Sequence, residues 1–343
     1  MNTKTNTIYS LLMLLTGTLL WGFSMGSWLA PLAAWLGPVL VMRYARDHKV
    51  GRGYLLVLIG SILATSIGFL GVWLGGLPRP MVPFLAVGIG FLWSLPYLAD
   101  RLLNGRLPGF SSTLVYPLAA TTLEFMFIHF NPLGTWGSTG FTQYGNLPLM
   151  QLVSVTGTIG ITFLMGWFAA VANWVWENRR HGTEIRKGLI AFGAVLAVVL
   201  LFGFVRLNLS PTSKVDETIR VAGITARSNF DLWERIEQLS APSITSPAAS
   251  QELQYHWDAY FDATIREAQA GAKVITWPEL SVFAAPSNEG SFITQGQEVA
   301  KQNGVYLNIP LGIVDPETGV RLENKSVLID PSGTVVMEHV KFG

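Results

Sequence analysis

The stretch AKVITWPEL, Ala272 to Leu280, is a run of strand formers that ends by presenting one carboxylate, Glu279, directly after a proline. Upstream, Leu253, Trp257, Tyr260, Phe261, Thr264, Ile265 and Ala268 recur at helical spacing, and Gly271 supplies a stop before the strand. Downstream the same grammar repeats: a helix near Phe292 to Asn303 with Gly304 as its stop, then the strand VYLNIPLGIV from Val305 to Val314. The turn DPETG leads to KSVLIDPSG and TVVMEHV, a predicted hairpin around Pro331, Ser332 and Gly333. Before all of these, IRVAGITA, Ile219 to Ala226, reads as a buried strand, and SAPSITSPAAS, Ser240 to Ser250, as a flexible insertion. Strand, helix, strand, helix, strand predicts an α/β layered domain. Such folds place functional groups beyond the carboxyl ends of strands, where Glu279 stands.

The rest of the chain is of another kind. Of its 343 residues 50% are hydrophobic and only 13% charged, and the mean hydropathy is +0.39, too apolar for an ordinary soluble domain. The net charge of +1 gives no basic field for nucleic acid, and the absence of cysteine excludes disulfides and thiolate metal sites. Apolar runs long enough to cross a bilayer are read at Ile8 to Phe23, Ser27 to Met42, Tyr54 to Leu74, Val82 to Leu103, Ser112 to Phe130, Leu147 to Val175 and Leu189 to Leu207. The chain is therefore expected to divide into a helical membrane domain of about seven spans, residues 1–207, and an α/β domain, residues 208–343. With Lys4 as its only basic flank and no small-residue cleavage site, the first run is read as a retained span rather than a signal peptide.

Basic residues orient the spans. Arg43, Arg46, Lys49 and Arg52 share one link, Arg101 and Arg106 another, and Arg179, Arg180, Arg186 and Lys187 a third, whereas Arg79 is alone in the alternate loops. Cytoplasmic loops are the basic ones, so everything after Leu207 is expected on the outer face of the membrane.

The order W-P-E, N-I-P-L-G, N-K-S-V-L-I-D-P-S-G and then a lysine closing the next strand resembles the carbon-nitrogen hydrolase (nitrilase) superfamily. That resemblance implies an α-β-β-α sandwich and a catalytic Glu, Lys and Cys, of which Glu279 and Lys341 occupy the first two positions; His339 stands where the family usually has tyrosine. The membrane half narrows the family: NPLGTWGSTGFTQYGNLPLMQLVSVTGTIGITFL, Asn131 to Leu164, resembles apolipoprotein N-acyltransferase, with Trp136, Gly137, Gln143, Gln151, Thr156, Gly157, Gly160 and Phe163 matching and Glu124 at an acidic position. The resemblance implies a ping-pong acyl transfer in a bacterial inner membrane. A Cys thiolate takes an acyl chain from a phospholipid, and the amine of a diacylglyceryl-cysteine apolipoprotein accepts it. Glu279 would be the general base and Lys341 the oxyanion partner, at the outer bilayer surface and with no cofactor. A base in this role is best held in a partly desolvated pocket that raises its pKa toward neutrality. With no Cys in the sequence, a C-terminally truncated, inactive piece of such an enzyme is expected.

Other motifs compete for attention. GFSMG, Gly22 to Gly26, spells the elbow of a serine hydrolase but lies between two apolar runs, where a hinge or a small-residue packing site is the better reading; GVWLG, Gly71 to Gly75, is read as helix packing too. Glu124 and His129 lie near the end of a span and are read as a hydrogen-bonded structural pair, with direct chemistry as the alternative. His48, His129, His181, His256 and His339 show no ligand spacing, so no metal is expected. Trp233, Trp257 and Trp277 are read as core. The loops Thr135 to Asn146 and Ser281 to Gly290 are expected to face the outer leaflet and admit acyl chains. Competing functions are a membrane-tethered nitrilase-type amidase and a non-catalytic scaffold or transporter.

Overall fold

The computed structural model describes residues 3–26, 28–70, 82–130, 134–209, 218–225, 247–315 and 321–341. Arg79, Trp233, the GVWLG stretch, residues 316–319 of the DPETG turn and residues 240–246 of the proposed insertion lie outside them. The chain separates into two compact units, Met1–Thr212 and Ser213–Gly343.

The first unit is helical: α1 (Thr3–Gly22), α2 (Pro31–Asp47), α3 (Val50–Gly68), α4 (Val82–Leu103), α5 (Val115–Phe130), the one-turn α6 (Leu147–Met150) and α7 (Val153–Thr156), α8 (Ile159–Glu177) and α9 (Gly182–Leu209). Among the described residues five helices are long and apolar enough to cross a membrane: α3 and α9, together with segments at Pro83–Arg106, Gly109–Phe130 and Ile159–Glu177. The helices α1 and α2 occupy the two shorter runs.

The expected single span from Leu147 to Val175 is broken. Asn146 caps α6 through its side chain, Gly157 ends α7 at φ 66, and only α8 continues as a long helix. A left-handed residue cannot lie inside a right-handed helix, so apolarity carried on where the backbone did not.

At one end of the bundle, basic and acidic side chains tie three helices together. Arg46 of α2 grips Asp100 of α4 through Nε at 2.8 Å and Nη2 at 2.7 Å, and reaches Glu177 of α8 at 3.3 Å. Arg43 pairs with Asp47 and reaches Glu177 at 3.2 Å. A two-pronged guanidinium–carboxylate contact fixes direction as well as distance. At the other end, Gly26 takes φ 69, and a Cβ there would lie 1.8 Å from the Gly68 carbonyl oxygen. GFSMG is thus a close-packed turn, as the packing reading expected, and Ser24 donates its hydroxyl to the Trp21 carbonyl at 2.6 Å.

The second unit contains β1 (Arg220–Gly223), α10 (Pro247–Gln269), β2 (Ala272–Thr276), β3 (Val282–Ala284), α11 (Pro286–Asn303), β4 (Tyr306–Asp315), β5 (Arg321–Ile329) and β6 (Val335–Val340). Its sheet runs in the order β1-β2-β4-β5-β6, with β3 also pairing β4. The pairs β1/β2, β2/β4 and β3/β4 are parallel, while β4/β5 and β5/β6 are antiparallel. The structure is therefore a helical membrane unit followed by a mixed-sheet α/β unit, as the sequence pattern predicts. Its core joins Ile275, Leu307, Ile309, Val327 and Ile329 of the sheet to Trp257, Phe261 and Phe292 of the helices. Trp257 and Trp277 are both buried, and their indole nitrogens donate to the Phe283 carbonyl at 3.0 Å and the Thr264 hydroxyl at 2.9 Å.

Two expectations need correction here. The stretch Ser281 to Gly290 is not a loop: it forms β3 and the first turn of α11, because Val282, Phe283 and Ala284 are fully buried and Pro286 starts the helix. The Pro-rich insertion ends earlier than read, since α10 begins at Pro247.

Candidate functional site

The strands β2 and β3 lie on the same edge of β4. Val274–Thr276 pair with Tyr306–Asn308, and Val282–Ala284 with Leu311–Ile313. Between them, the five residues from Trp277 to Ser281 stand opposite only Ile309 and Pro310. AKVIT and VFA are thus one strand interrupted by a large bulge, and Glu279 is at its tip. Pro310 has no N–H to offer the ladder, and the bulge closes on itself through Ser281 N donating to the Pro278 carbonyl at 3.2 Å. Leu280 carries the strain of that turn, with φ 53. A bulge of this kind re-aims a side chain out of the sheet. Strained non-glycine backbone persists where the surroundings over-determine it.

Three elements converge on the extruded carboxylate. Glu279 Oε1 accepts from Lys341 Nζ at 2.6 Å and from Asn324 Nδ2 at 2.7 Å. Asn324 lies on β5, and its carbonyl accepts the Lys341 backbone N–H at 2.8 Å, which holds the lysine just past the end of β6. The two residues picked out by sequence, 62 positions apart, are therefore brought into direct contact. Asn324 was missed as a participant, although the motif N-K-S-V-L-I-D-P-S-G contains it.

The electrostatics differ from the expected primed base. The Lys341 ammonium and then the Asn324 amide hold the Glu279 carboxyl below the ordinary glutamate range, and the modest desolvation acts against them without winning. The side chains of Glu279 and Lys341 are 57% and 62% exposed. In this state the pair is an open ion pair. Covering it would remove the water that screens both charges.

A second lysine sits one residue further along β5. Lys325 is 7% exposed, and its Nζ meets Glu289 at 2.5 Å, Glu338 at 2.8 Å and Glu323 at 3.1 Å. Burial alone would lower its pKa, but the three carboxylates outweigh that and raise it. It is a charge clamp between α11, β5 and β6. Nothing in the local sequence announces it, because its partners come from three separate places.

In the membrane unit, the segment from Thr135 to Asn146 does not stand away from the bundle. Gly140, Thr142 and Gln143 are buried, and Gln143 bridges α2, accepting from Trp35 Nε1 at 3.0 Å and donating to the Pro31 carbonyl at 2.9 Å. Glu124, fully buried, accepts from the Ser138 hydroxyl at 2.5 Å. His129 instead bonds the Phe125 carbonyl of its own helix at 2.8 Å, so the expected Glu124–His129 pair does not form. Beside Ser138 lies a cavity of about 470 Å³ enclosed by α1, α2, α4, α5, α8 and the buried loop. Among the described residues no group of histidine and carboxylate side chains is arranged to hold a metal.

These features define a class: a membrane protein with a helical bundle in series with an α/β unit that displays a Glu–Lys pair beyond the end of a strand. Residues 13–171 match the family model described as the apolipoprotein N-acyltransferase N-terminal domain. Two curated relatives carry the name apolipoprotein N-acyltransferase. One, from Geobacter metallireducens, is 30% identical over 135 residues, 37% of this chain and 25% of that protein. The other, from Bradyrhizobium diazoefficiens, is 25% identical over 275 residues, 78% of this chain and 47% of that protein. The second match is longer than the 212 residues of the membrane unit and so extends into the sheet unit. The chain is thus similar to apolipoprotein N-acyltransferases over most of its membrane unit and into its sheet unit. Its matches span a quarter and about half of the two relatives' lengths. A solved NitN amidase from Neterenkonia sp. AN1 is similar over 26% of this chain and 39% of its own, at 24% identity and a TM-score of 0.22.

Proposed function

We propose that this chain supplies the membrane unit and the first part of the catalytic unit of an N-acyltransferase. The enzyme moves a fatty acyl chain from a phospholipid to the N-terminal amine of a diacylglyceryl-cysteine lipoprotein. The sheet unit is then the opening portion of a carbon-nitrogen hydrolase fold, residues 1–207 form the membrane domain and residues 208–343 the soluble one. The observation that carries this reading is the convergence of Glu279, Asn324 and Lys341 at one bulge, in a chain whose residues 13–171 match the apolipoprotein N-acyltransferase N-terminal domain.

The chemistry divides between the residues present and one that is absent. A thiolate attacks the phospholipid ester carbonyl, the C–O bond breaks, lysophospholipid leaves with a proton, and a thioester remains. The lipoprotein amine then attacks the thioester, its proton is taken up, and the thiolate is released. Glu279 takes the proton from the thiol and later from the amine. Lys341 stabilises the oxyanion of each tetrahedral intermediate, which requires its ammonium to turn from Glu279 toward the carbonyl oxygen as that carboxylate becomes protonated. The 343 residues hold no cysteine, so by themselves they do not form the thioester.

The same reading places the Arg43–Arg46 end of the bundle in the cytoplasm and the sheet unit on the outer face of a bacterial inner membrane, in agreement with the basic links. Expression of the complete open reading frame in cells depleted of their own N-acyltransferase tests the proposal. Mass spectrometry of a reporter lipoprotein should show the third acyl chain, and a reporter that stays diacylated would contradict it.

A further inference from the structure

A second hollow of the membrane unit lies between α4 and α5, and its lining shares only Pro96 with the cavity beside Ser138. It is an open groove of about 600 Å³. On α4 its wall is formed by Leu95, Ala99 and Leu103, at every fourth residue, and on α5 it runs from Val115 through Ala119 and Leu123 to Met126. Residues 104–114 join the two helices, so Leu103 and Val115 stand at one end of the groove and Leu95 and Met126 at the other. The small side chains of Ala99 and Ala119, each four residues in from that link, leave the hollow that the larger leucines wall in.

The groove carries a single charge. Arg106 lines its linked end, is exposed, and makes no hydrogen bond or ion pair with a described residue. Its neighbours at this end of the bundle are engaged, Arg43 and Arg46 by carboxylates and Arg101 by the His48 carbonyl at 3.2 Å. The acids of α4 and α5 are committed elsewhere: Asp100 is 1% exposed and held by Arg46, and Glu124 is fully buried and held by Ser138. A guanidinium without a counter-charge, at the mouth of an apolar trough, suits an anion that brings hydrocarbon with it.

The depth matches one leaflet. From Val115 to Met126 the α5 wall runs eleven residues, or about 16 Å along a helix axis. A bilayer's hydrocarbon core is about 30 Å thick, so a chain in one leaflet extends about 15 Å. A phospholipid whose phosphate meets Arg106 therefore lays an acyl chain along the groove as far as Leu95 and Met126. No acidic side chain lines the groove to receive an ammonium, so a headgroup of net negative charge is favoured over a zwitterionic one.

We propose that this groove binds an anionic phospholipid from the leaflet at the Arg106 end, held by its phosphate on Arg106 and by one acyl chain between α4 and α5. The basic links assign that leaflet to the cytoplasmic side, so this lipid is not an acyl donor on the outer face. The site is built from residues 95–126 alone and does not depend on the acyl-transfer reading. A lipid bound there only in the folded bundle stabilises the α4–α5 pair.

The test uses the 343-residue chain in phosphatidylcholine nanodiscs. The probes are traces of phosphatidylglycerol or phosphatidylcholine that carry a diazirine near the carbonyl or near the methyl end of one acyl chain. After irradiation and peptide mapping, the carbonyl-end phosphatidylglycerol should label peptides from Leu103 to Val115, and the methyl-end probe those containing Leu95 or Met126. The exposed face of α9, with Leu189, Val198 and Leu201, measures contact with bulk lipid. One cation beside an anionic headgroup is worth about fivefold in binding, so phosphatidylglycerol should label the groove, relative to α9, about fivefold more than phosphatidylcholine does. Arg106→Gln, at an exposed position, should erase that preference. Ala119→Phe, which fills the groove, should lower groove labelling by both lipids and leave α9 labelling unchanged; if it disturbs the packing of α4 on α5, Arg106→Gln decides alone. Equal labelling by the two lipids, a preference that survives Arg106→Gln, or carbonyl-end and methyl-end labels in the reverse order would reduce the groove to a surface wetted by bulk lipid and overturn the proposal.

Discussion

Lys325 and Lys341 of the sheet unit should respond to the same substitution to very different degrees, and Lys325→Met is the more revealing. Lys325 is 7% exposed and serves three carboxylates at 2.5, 2.8 and 3.1 Å, whose side chains are 25%, 48% and 44% exposed. Removing the partner of a fully buried ion costs about 3–5 kcal/mol, and breaking an exposed ion pair about 0–1 kcal/mol. The carboxylates can rehydrate but remain crowded as like charges, so the loss should fall between these limits, at about 1–3 kcal/mol. Hydrogen exchange of β5 and α11 peptides in the whole chain reads this directly. At tenfold per 1.4 kcal/mol, exchange through opening should accelerate about 5- to 150-fold. Lys341→Met removes a pair whose members are 57% and 62% exposed, and should change exchange by less than about fivefold. Unchanged exchange in Lys325→Met, or a larger effect from Lys341→Met, would refute the assignment of one lysine to structure and the other to the site.

Other consequences can be read separately. The Glu279 carboxyl, followed by carbon NMR, should titrate below the ordinary glutamate range, and Lys341→Met or Asn324→Ala should move it upward. Because its folded pKa is depressed, the small stability it contributes is present above the unfolded value of about 4.3 and is lost as pH falls through the folded value. A titration at or above the free-glutamate value would contradict the geometry. Gly26→Ala should destabilise the bundle by at least about 1–2 kcal/mol from its left-handed backbone alone, with the overlap on Gly68 added, seen as a lower unfolding temperature in detergent. Ser24→Ala, which loses only a bond to the Trp21 carbonyl, should leave the unfolding temperature close to that of the parent.

Much of the architecture was legible because apolar length and period carry it directly. The span read at Val82 to Leu103 is α4, residue for residue, and the stops at Gly271 and Gly304 fall where the helices end. The break at Gly157 was not legible, since apolar residues continue on both sides and one backbone angle separates span from turn. Nor was β3, three residues whose strand character depends on the β4 edge left open beyond the bulge. At the site, the order of motifs pointed to Glu279 and Lys341, whereas Asn324, opposite Gly312 on β4, became visible only through its hydrogen bond to Glu279.

The central claim, that Glu279 is the proton-transferring group of an acyltransferase with Lys341 beside it, is tested most directly by Glu279→Gln in the complete open reading frame. Glutamine keeps the shape and an acceptor oxygen for Asn324 and Lys341 but cannot take a proton. The rate of third-chain addition to a reporter lipoprotein should fall by about 10²- to 10⁴-fold, while the unfolding temperature and the membrane insertion of the protein stay unchanged. A rate within about threefold of the parent would contradict the account.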